Sequence, residues 1–216
     1  MLSKIDAFVA RLEQQEHADN YFNPYRNKQL AENLRAYLYL LAEHVSNPVL
    51  LVGEAPGYKG CRITGIPFSS GKIFERFRHP MLQALQDKVE FAHMESENTA
   101  TIVWEYLSKG RKTKQKRWQQ TPLFWNSFPF HPHPVGNENK NRAPTSTEIA
   151  QGKEYLIELY CIFQPCIVAG VGDKGVACAK KSFPELDIAH IRHPSFGGKS
   201  DFIKGMNMLN RRINSI

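Results

Sequence analysis

"NPVLLVG" (Asn47 to Gly53) and "PCIVAGVG" (Pro165 to Gly172) constrain this chain more than any other feature. Each is a short unbroken apolar run that follows a turn former and stops at glycine. Such a run has no polar face to give to water, so it fits a strand buried on both sides, as in a parallel sheet covered by helices. Helical spacing surrounds the runs. Ile5, Phe8, Val9 and Leu12 mark a helix near 2–16, and Leu30, Leu34, Leu38 and Leu41 one over 27–46. "TSTEIAQGKEYLIELYCIF" opens with Thr145 or Ser146 followed by Glu148, a capping pattern that starts a helix. "DKGVACAKK" reads as a short helix, and the tail from about Asp201 as another. "TPLFWNSFPF" (Thr121 to Phe130) and "DIAHIRHP" (Asp187 to Pro194) read as two more strands. The alternation predicts an α/β fold: a single three-layer α/β/α domain over 1–216 with a mainly parallel central sheet. Residues 1–46 form its helical N-terminal part. The stretch 70–120 breaks the alternation and reads as an elaborated crossover with a basic tract.

The 216 residues can bury a sizeable core without staples. A net charge of +7 favours a polyanionic partner. The run "KGRKTKQKR" (Lys109 to Arg117) has six Lys or Arg in nine residues, a pattern that attracts phosphates. Lys112, Lys114 and Lys116 are its candidate nucleic-acid contacts; a solvated loop is the alternative. The four cysteines, Cys61, Cys161, Cys166 and Cys178, form no C-x-x-C pair, which favours reduced thiols and the cytoplasm. The first twenty residues carry charges throughout and read as neither a signal peptide nor a membrane span. A monomer with no membrane partner is expected. "HPHP" (His131 to Pro134) suits a rigid proline loop better than a metal site. "GIPFSSGKI" is not a phosphate-binding P-loop, because five residues separate Gly65 from Gly71 and Ile73 replaces the hydroxyl.

Ligands of open parallel sheets sit beyond the carboxyl ends of the strands. Three strand ends here carry a polar residue followed by turn formers: Glu54 in "GEAPG", Asn126 in "WNSFPFHPH" and His193 in "HIRHPSFGG". The same segments carry a resemblance. "GEAPGYKGCRITGIPF" (Gly53 to Phe68), "NSFPFHPHPVGNENKNRAP" (Asn126 to Pro144) and "HPSFGG" (His193 to Gly198) occur in this order. Together they resemble the motifs of the uracil-DNA glycosylase superfamily, most of all its iron–sulfur branch, from about Asn47 to the C-terminus. There are departures. No cysteine precedes Cys61, so no iron–sulfur cluster, metal or other cofactor is expected. The second motif lacks the branch's cysteine and has a longer loop. Ala55 stands where the best-known branch has its aspartate. "YKGCRI" supplies no second acidic residue.

The resemblance implies a monofunctional DNA glycosylase that removes uracil, or a related deaminated base, flipped out of DNA. It implies His193 as the donor to the leaving base and Glu54 as the group that stabilises the cationic sugar or orients water. Asn126 presents an acceptor and a donor, complementary to N3–H and O4 of uracil. Phe68 can stack on the flipped ring. The backbone amides of Ala55 and Gly57 are candidates for positioning base or water. Ser195 and Lys199 are candidate DNA contacts, and Phe196 is the candidate wedge that fills the vacated stack. Two alternatives stay open: another base preference (hypoxanthine, xanthine or mismatched thymine), and a nucleic-acid-binding protein that kept the fold and lost catalysis.

Overall fold

The computed structural model describes residues 1–110 and 112–213. The chain opens with α1 (Leu2–Gln14), a two-residue strand β1 (Tyr21–Phe22), a 3-10 turn (Pro24–Arg26) and α2 (Lys28–His44), which leads into β2 (Val49–Gly53). Between β2 and the next sheet strand lie short helices: α3 (Cys61–Thr64), α4 (Gly71–Arg76), α5 (Pro80–Leu85), α6 (Asn98–Ser108) and α7 (Lys114–Gln119). Then come β3 (Leu123–Asn126), the two-residue β4 (His131–Pro132), α8 (Ser146–Phe163), β5 (Ile167–Val171), α9 (Gly172–Ser182), β6 (Ala189–Ile191) and α10 (Lys199–Ile213).

The central sheet has the order β3-β2-β5-β6, and every neighbouring pair is parallel. β2 and β5 are the two apolar runs, and each is buried along its whole length. Register divides the side chains between two faces. Val52 pairs with Trp125 and Gly170, so these three share one face. α1 meets it through Phe8 against Trp125. α9 sits on it too: a Cβ on Gly170 would lie 2.3 Å from the Val176 amide nitrogen. Leu51 pairs with Phe124, and Trp104 of α6 packs on that opposite face. α10 joins α6 there, with Gly205 against Ile191 and Phe202 edge-on to Tyr106. The result is three layers, helix on sheet on helix.

β3 is an edge strand, and edges left open invite foreign pairing. α2 closes this one. The Tyr37 hydroxyl accepts from the Phe124 amide (2.8 Å) and donates to the Pro122 carbonyl (3.0 Å). The capping pattern at α8 is present as a full box between Thr145 and Glu148. Two expected strands are shorter than their apolar runs. The run 121–130 pairs only over Leu123–Asn126; beyond it Ser127 turns back, and its amide and hydroxyl both donate to the Gly53 carbonyl at 2.9 Å. The run 187–194 pairs only over Ala189–Ile191, at the other sheet edge. The helical tail is seen as far as Ile213, and residues 214–216 lie outside the described residues, as does Arg111 of the basic tract. Among the described residues no helix is long and apolar enough to cross a membrane.

Candidate active site

A cleft of about 530 Å³ opens beyond the carboxyl ends of β2, β3, β5 and β6. Gly53 and Asn126 are register partners at its floor. A Cβ on Gly53 would lie 2.7 Å from Asn126 Oδ1 and 2.7 Å from Phe68 Cζ. Glycine ends this strand because the next layer, the amide of Asn126 and the ring of Phe68, needs its space. Asn126 is only 5% exposed, and its side chain bonds to nothing among the described residues. Its amide is not among the fully enclosed unpaired polar atoms, so the hydrogen-bonding capacity that no protein group takes up is presented to the cleft.

Phe68 holds a left-handed backbone, φ 55°. For a bulky residue that conformation is strained and persists only where the surroundings enforce it. Its carbonyl accepts from the Trp104 indole at 2.9 Å, and its ring stacks on Phe124 at 5.2 Å between centroids. The ring, half-buried, lines the cleft.

His193 follows β6 by two residues. Its Nδ1 accepts from the Ser195 amide at 3.2 Å, which leaves the proton of the neutral ring on Nε2. Burial holds its pKa below the ordinary histidine value. The Glu97 and Glu54 carboxylates push the other way, and Arg192 adds to the lowering. Gly172, at φ 71°, gives the ring room, since a Cβ there would come within 3.1 Å of His193 Cβ. The Ser195 hydroxyl meets Thr99 at 3.2 Å and ties this loop to α6. Phe196 is 97% exposed, with φ 53°, at the cleft's rim.

Glu54, Ala55 and Gly57 all line the cleft. Glu54 is fixed at its backbone, where its carbonyl accepts from Phe128, and its carboxylate forms an ion pair with Lys174 at 2.9 Å. The "NRAP" segment clasps this loop from outside. Asn141 accepts from the Tyr58 amide at 2.9 Å, and Arg142 forms a two-pronged pair with Glu148 (2.8 and 2.7 Å). His131 of "HPHP" serves the same loop, its ring lodged between the Pro56 and Glu138 carbonyls. Among the described residues no group of three or more His, Cys, Asp or Glu is placed to hold a metal ion.

The candidate DNA contacts divide. Lys199 lies just past the His193 loop and pairs with Glu105 at 2.7 Å. Lys112 lies over the Tyr106 ring and shares with Lys199 a smaller hollow of about 250 Å³ between α6 and α10. Lys114 and Lys116 are exposed on α7, and neither lines the cleft.

The cleft also holds groups that the motifs did not supply. Glu97 enters from the start of α6, where its carboxylate accepts from the Thr99 and Ala100 amides (3.0 and 2.8 Å). It is a second acidic group facing His193, brought from the crossover rather than from the loop after Glu54. Asp173, Lys174 and Arg192 enter from the ends of β5 and β6. The strand-end rule that finds Glu54 applies equally to "AGVGDK"; nothing local marks Glu97.

A model of the Uracil DNA glycosylase superfamily matches residues 42–211, a span that contains every cleft residue named above. The chain belongs to that superfamily of DNA glycosylases. Among solved structures, SMUG2 from Pedobacter heparinus is similar over 99% of both chains, with a TM-score of 0.68 and 14% identity. At that identity the likeness is one of fold. No curated protein sequence matches the chain.

Proposed function

We propose that this superfamily member is a monofunctional glycosylase that hydrolyses the N-glycosidic bond of uracil, or a related deaminated base, flipped out of DNA. One observation carries the reading. The unbonded amide of Asn126, the open face of Phe68 and the Nε2–H of His193 line one cleft. An amide without protein partners, next to an aromatic face, matches a planar base with both an acceptor and a donor on its edge.

The flipped base stacks on Phe68. Asn126 donates to O4 and accepts from N3–H. Cytosine presents the opposite pattern and leaves buried polar groups unpaired, a loss of about 1–3 kcal/mol for each. As the bond breaks, negative charge grows on the base and the His193 N–H donates to O2. Because Ser195 fixes the tautomer, this donor stands ready before the reaction begins. The sugar becomes cationic beside Glu54, which stabilises it or orients the water. That water's oxygen then joins the anomeric carbon, and its proton leaves for the base. The backbone amides of Ala55 and Gly57 help to position base or water. Ser195, Lys199, Arg192, Lys112, Lys114 and Lys116 meet phosphates, and Phe196 fills the vacated stack. The protein acts as a soluble monomer without a cofactor.

A wider base preference has one observation in its favour. The position after the first motif's proline guards against thymine in one branch of the superfamily; here it is Gly57, with no side chain to do so and open space around it, which leaves Tyr58 as the alternative guard. Asn126→Asp tests the base-reading role. Ionised aspartate accepts but cannot donate to O4. Uracil excision in single turnover is expected to fall or move to another base; an unchanged rate and preference removes Asn126 from recognition.

A further inference from the structure

The cleft holds a lysine whose position conflicts with the job of its partner. Lys174 Nζ lies 2.9 Å from Glu54 Oε1. While they are paired, the carboxylate is neutralised by a fixed cation and has little left for a developing sugar cation. The pair is half open to solvent, with side-chain exposures of 64% and 33%, so water and other ions compete with it. The backbone around it is set. Gly175, one residue after Lys174, lies against β2 so closely that a Cβ there would come 2.5 Å from the Val52 carbonyl. The turn carrying Lys174 therefore rests on the strand that carries Glu54, and only the side chain is free to change partner. Asp173 does not compete for it, because it faces His190 at 3.3 Å.

We propose that Lys174 exchanges Glu54 for a DNA phosphate next to the flipped nucleotide, and that this exchange frees Glu54 to act on the sugar. The proposal rests on the glycosylase reading and adds a condition to it: the carboxylate is released only when a strand lies in the cleft. A flipped nucleotide brings its two flanking phosphates to the cleft mouth. A phosphate offers several strong acceptor oxygens, whereas Glu54 gives Lys174 one. A strand lying in the cleft displaces water from it and so strengthens each pairing made there.

The test combines Lys174→Gln with oligonucleotides in which one phosphate flanking the target base is an uncharged methylphosphonate. On ordinary DNA, Lys174→Gln is expected to raise the half-saturating concentration by at least about tenfold, the loss of one charge-assisted contact. On one of the two methylphosphonate strands, the wild type is expected to slow in single turnover by about tenfold or more. Its lysine then has no phosphate to take and stays on Glu54. On that strand Lys174→Gln is expected to be the faster enzyme, an inversion that a merely structural lysine does not produce. Equal slowing of both proteins on both strands overturns the exchange and leaves the glycosylase reading intact. Borohydride trapping of abasic DNA on the wild type but not on Lys174→Gln also overturns it, by making the lysine a nucleophile. A folded wild type inactive on every base overturns both readings.

Discussion

Gly53→Ala places one methyl group at the floor of the cleft and nowhere else. The added Cβ would start 2.7 Å from Asn126 Oδ1, 2.7 Å from Phe68 Cζ and 2.9 Å from Phe68 Cε2. Ordinary contact begins near 3.4 Å, so both groups must yield by about 0.7 Å. Gly53, Asn126 and Phe124 share one face of the sheet, and the Phe68 ring lies across it, stacked on Phe124. A methyl under the ring lifts it into the space the base takes and pushes the amide with it. A misplacement of about 1 Å at a reacting centre reduces rate by roughly a hundredfold, so a loss of ten- to a hundredfold in kcat/KM is expected. The yielding groups border open space, so the stability loss stays within the usual 1–3 kcal/mol or so of an added methylene. The assay is single-turnover excision at several enzyme concentrations, with thermal unfolding alongside. Gly205→Ala also crowds a buried neighbour, 3.2 Å from Ile191 Cδ1, but on α10 away from the cleft, and is the control for destabilisation alone. A Gly53→Ala protein that folds and excises at the wild-type rate refutes the placement of Asn126 and Phe68 on the base.

Other outcomes follow from single contacts. Arg142→Met leaves the mostly buried Glu148 without its two-pronged partner and is expected to lower stability by about 3–5 kcal/mol, read by urea unfolding at pH 7. Phe196→Ala removes the exposed aromatic at the cleft rim; excision from duplex DNA is expected to fall at least about tenfold more than from single strands, as measured on matched oligonucleotides. The His193 pKa is lowered by burial, so its neutral form persists through pH 7 and the single-turnover rate is expected to stay level above about pH 6.5. Below its pKa, protonation puts an N–H on Nδ1 opposite the Ser195 N–H, and the rate drops. His79 is held down to about 3, also by burial first. The unfolded chain therefore takes up a proton near pH 6.5 that the folded chain refuses. This contribution to stability is fully present above 6.5 and falls by about 1.4 kcal/mol for each pH unit below it, until about pH 3. Urea unfolding across that range, in wild type and His79→Asn, checks the slope; the variant is expected to flatten it.

The layered architecture was legible because its signals are periodic and local. Two apolar runs marked β2 and β5, and the Thr145–Glu148 box marked the start of α8. The same local logic pointed to Glu54 and Asn126, at the ends of buried strands, and to His193, two residues past the edge strand β6; all three line the cleft. What was not legible depends on contacts across the chain. Glu97 reaches the cleft through the packing of α6 against the His193 loop, where Thr99 meets Ser195. The left-handed backbone of Phe68 is held by Trp104, which lies 36 residues away. The pairing of Lys174 with Glu54 joins the ends of two strands separated by more than a hundred residues. The basic tract likewise has a disposition that its sequence does not give. Lys112 turns toward α6 and α10, while Lys114 and Lys116 stay on the surface of α7.

The central claim is that this cleft excises a base by reading it with Asn126 and donating to it from His193. Oligonucleotides carrying uracil, hypoxanthine, xanthine or mismatched thymine, incubated with wild type or His193→Ala and then treated with alkali, test it most directly. Wild type is expected to yield strand breaks at uracil or a related deaminated base and none at cytosine. Loss of the single donor is expected to slow excision by two to three powers of ten, or about 3–4 kcal/mol, while DNA binding persists. A folded wild type that binds DNA and breaks none of the strands, or a His193→Ala protein that matches its rate, contradicts the claim.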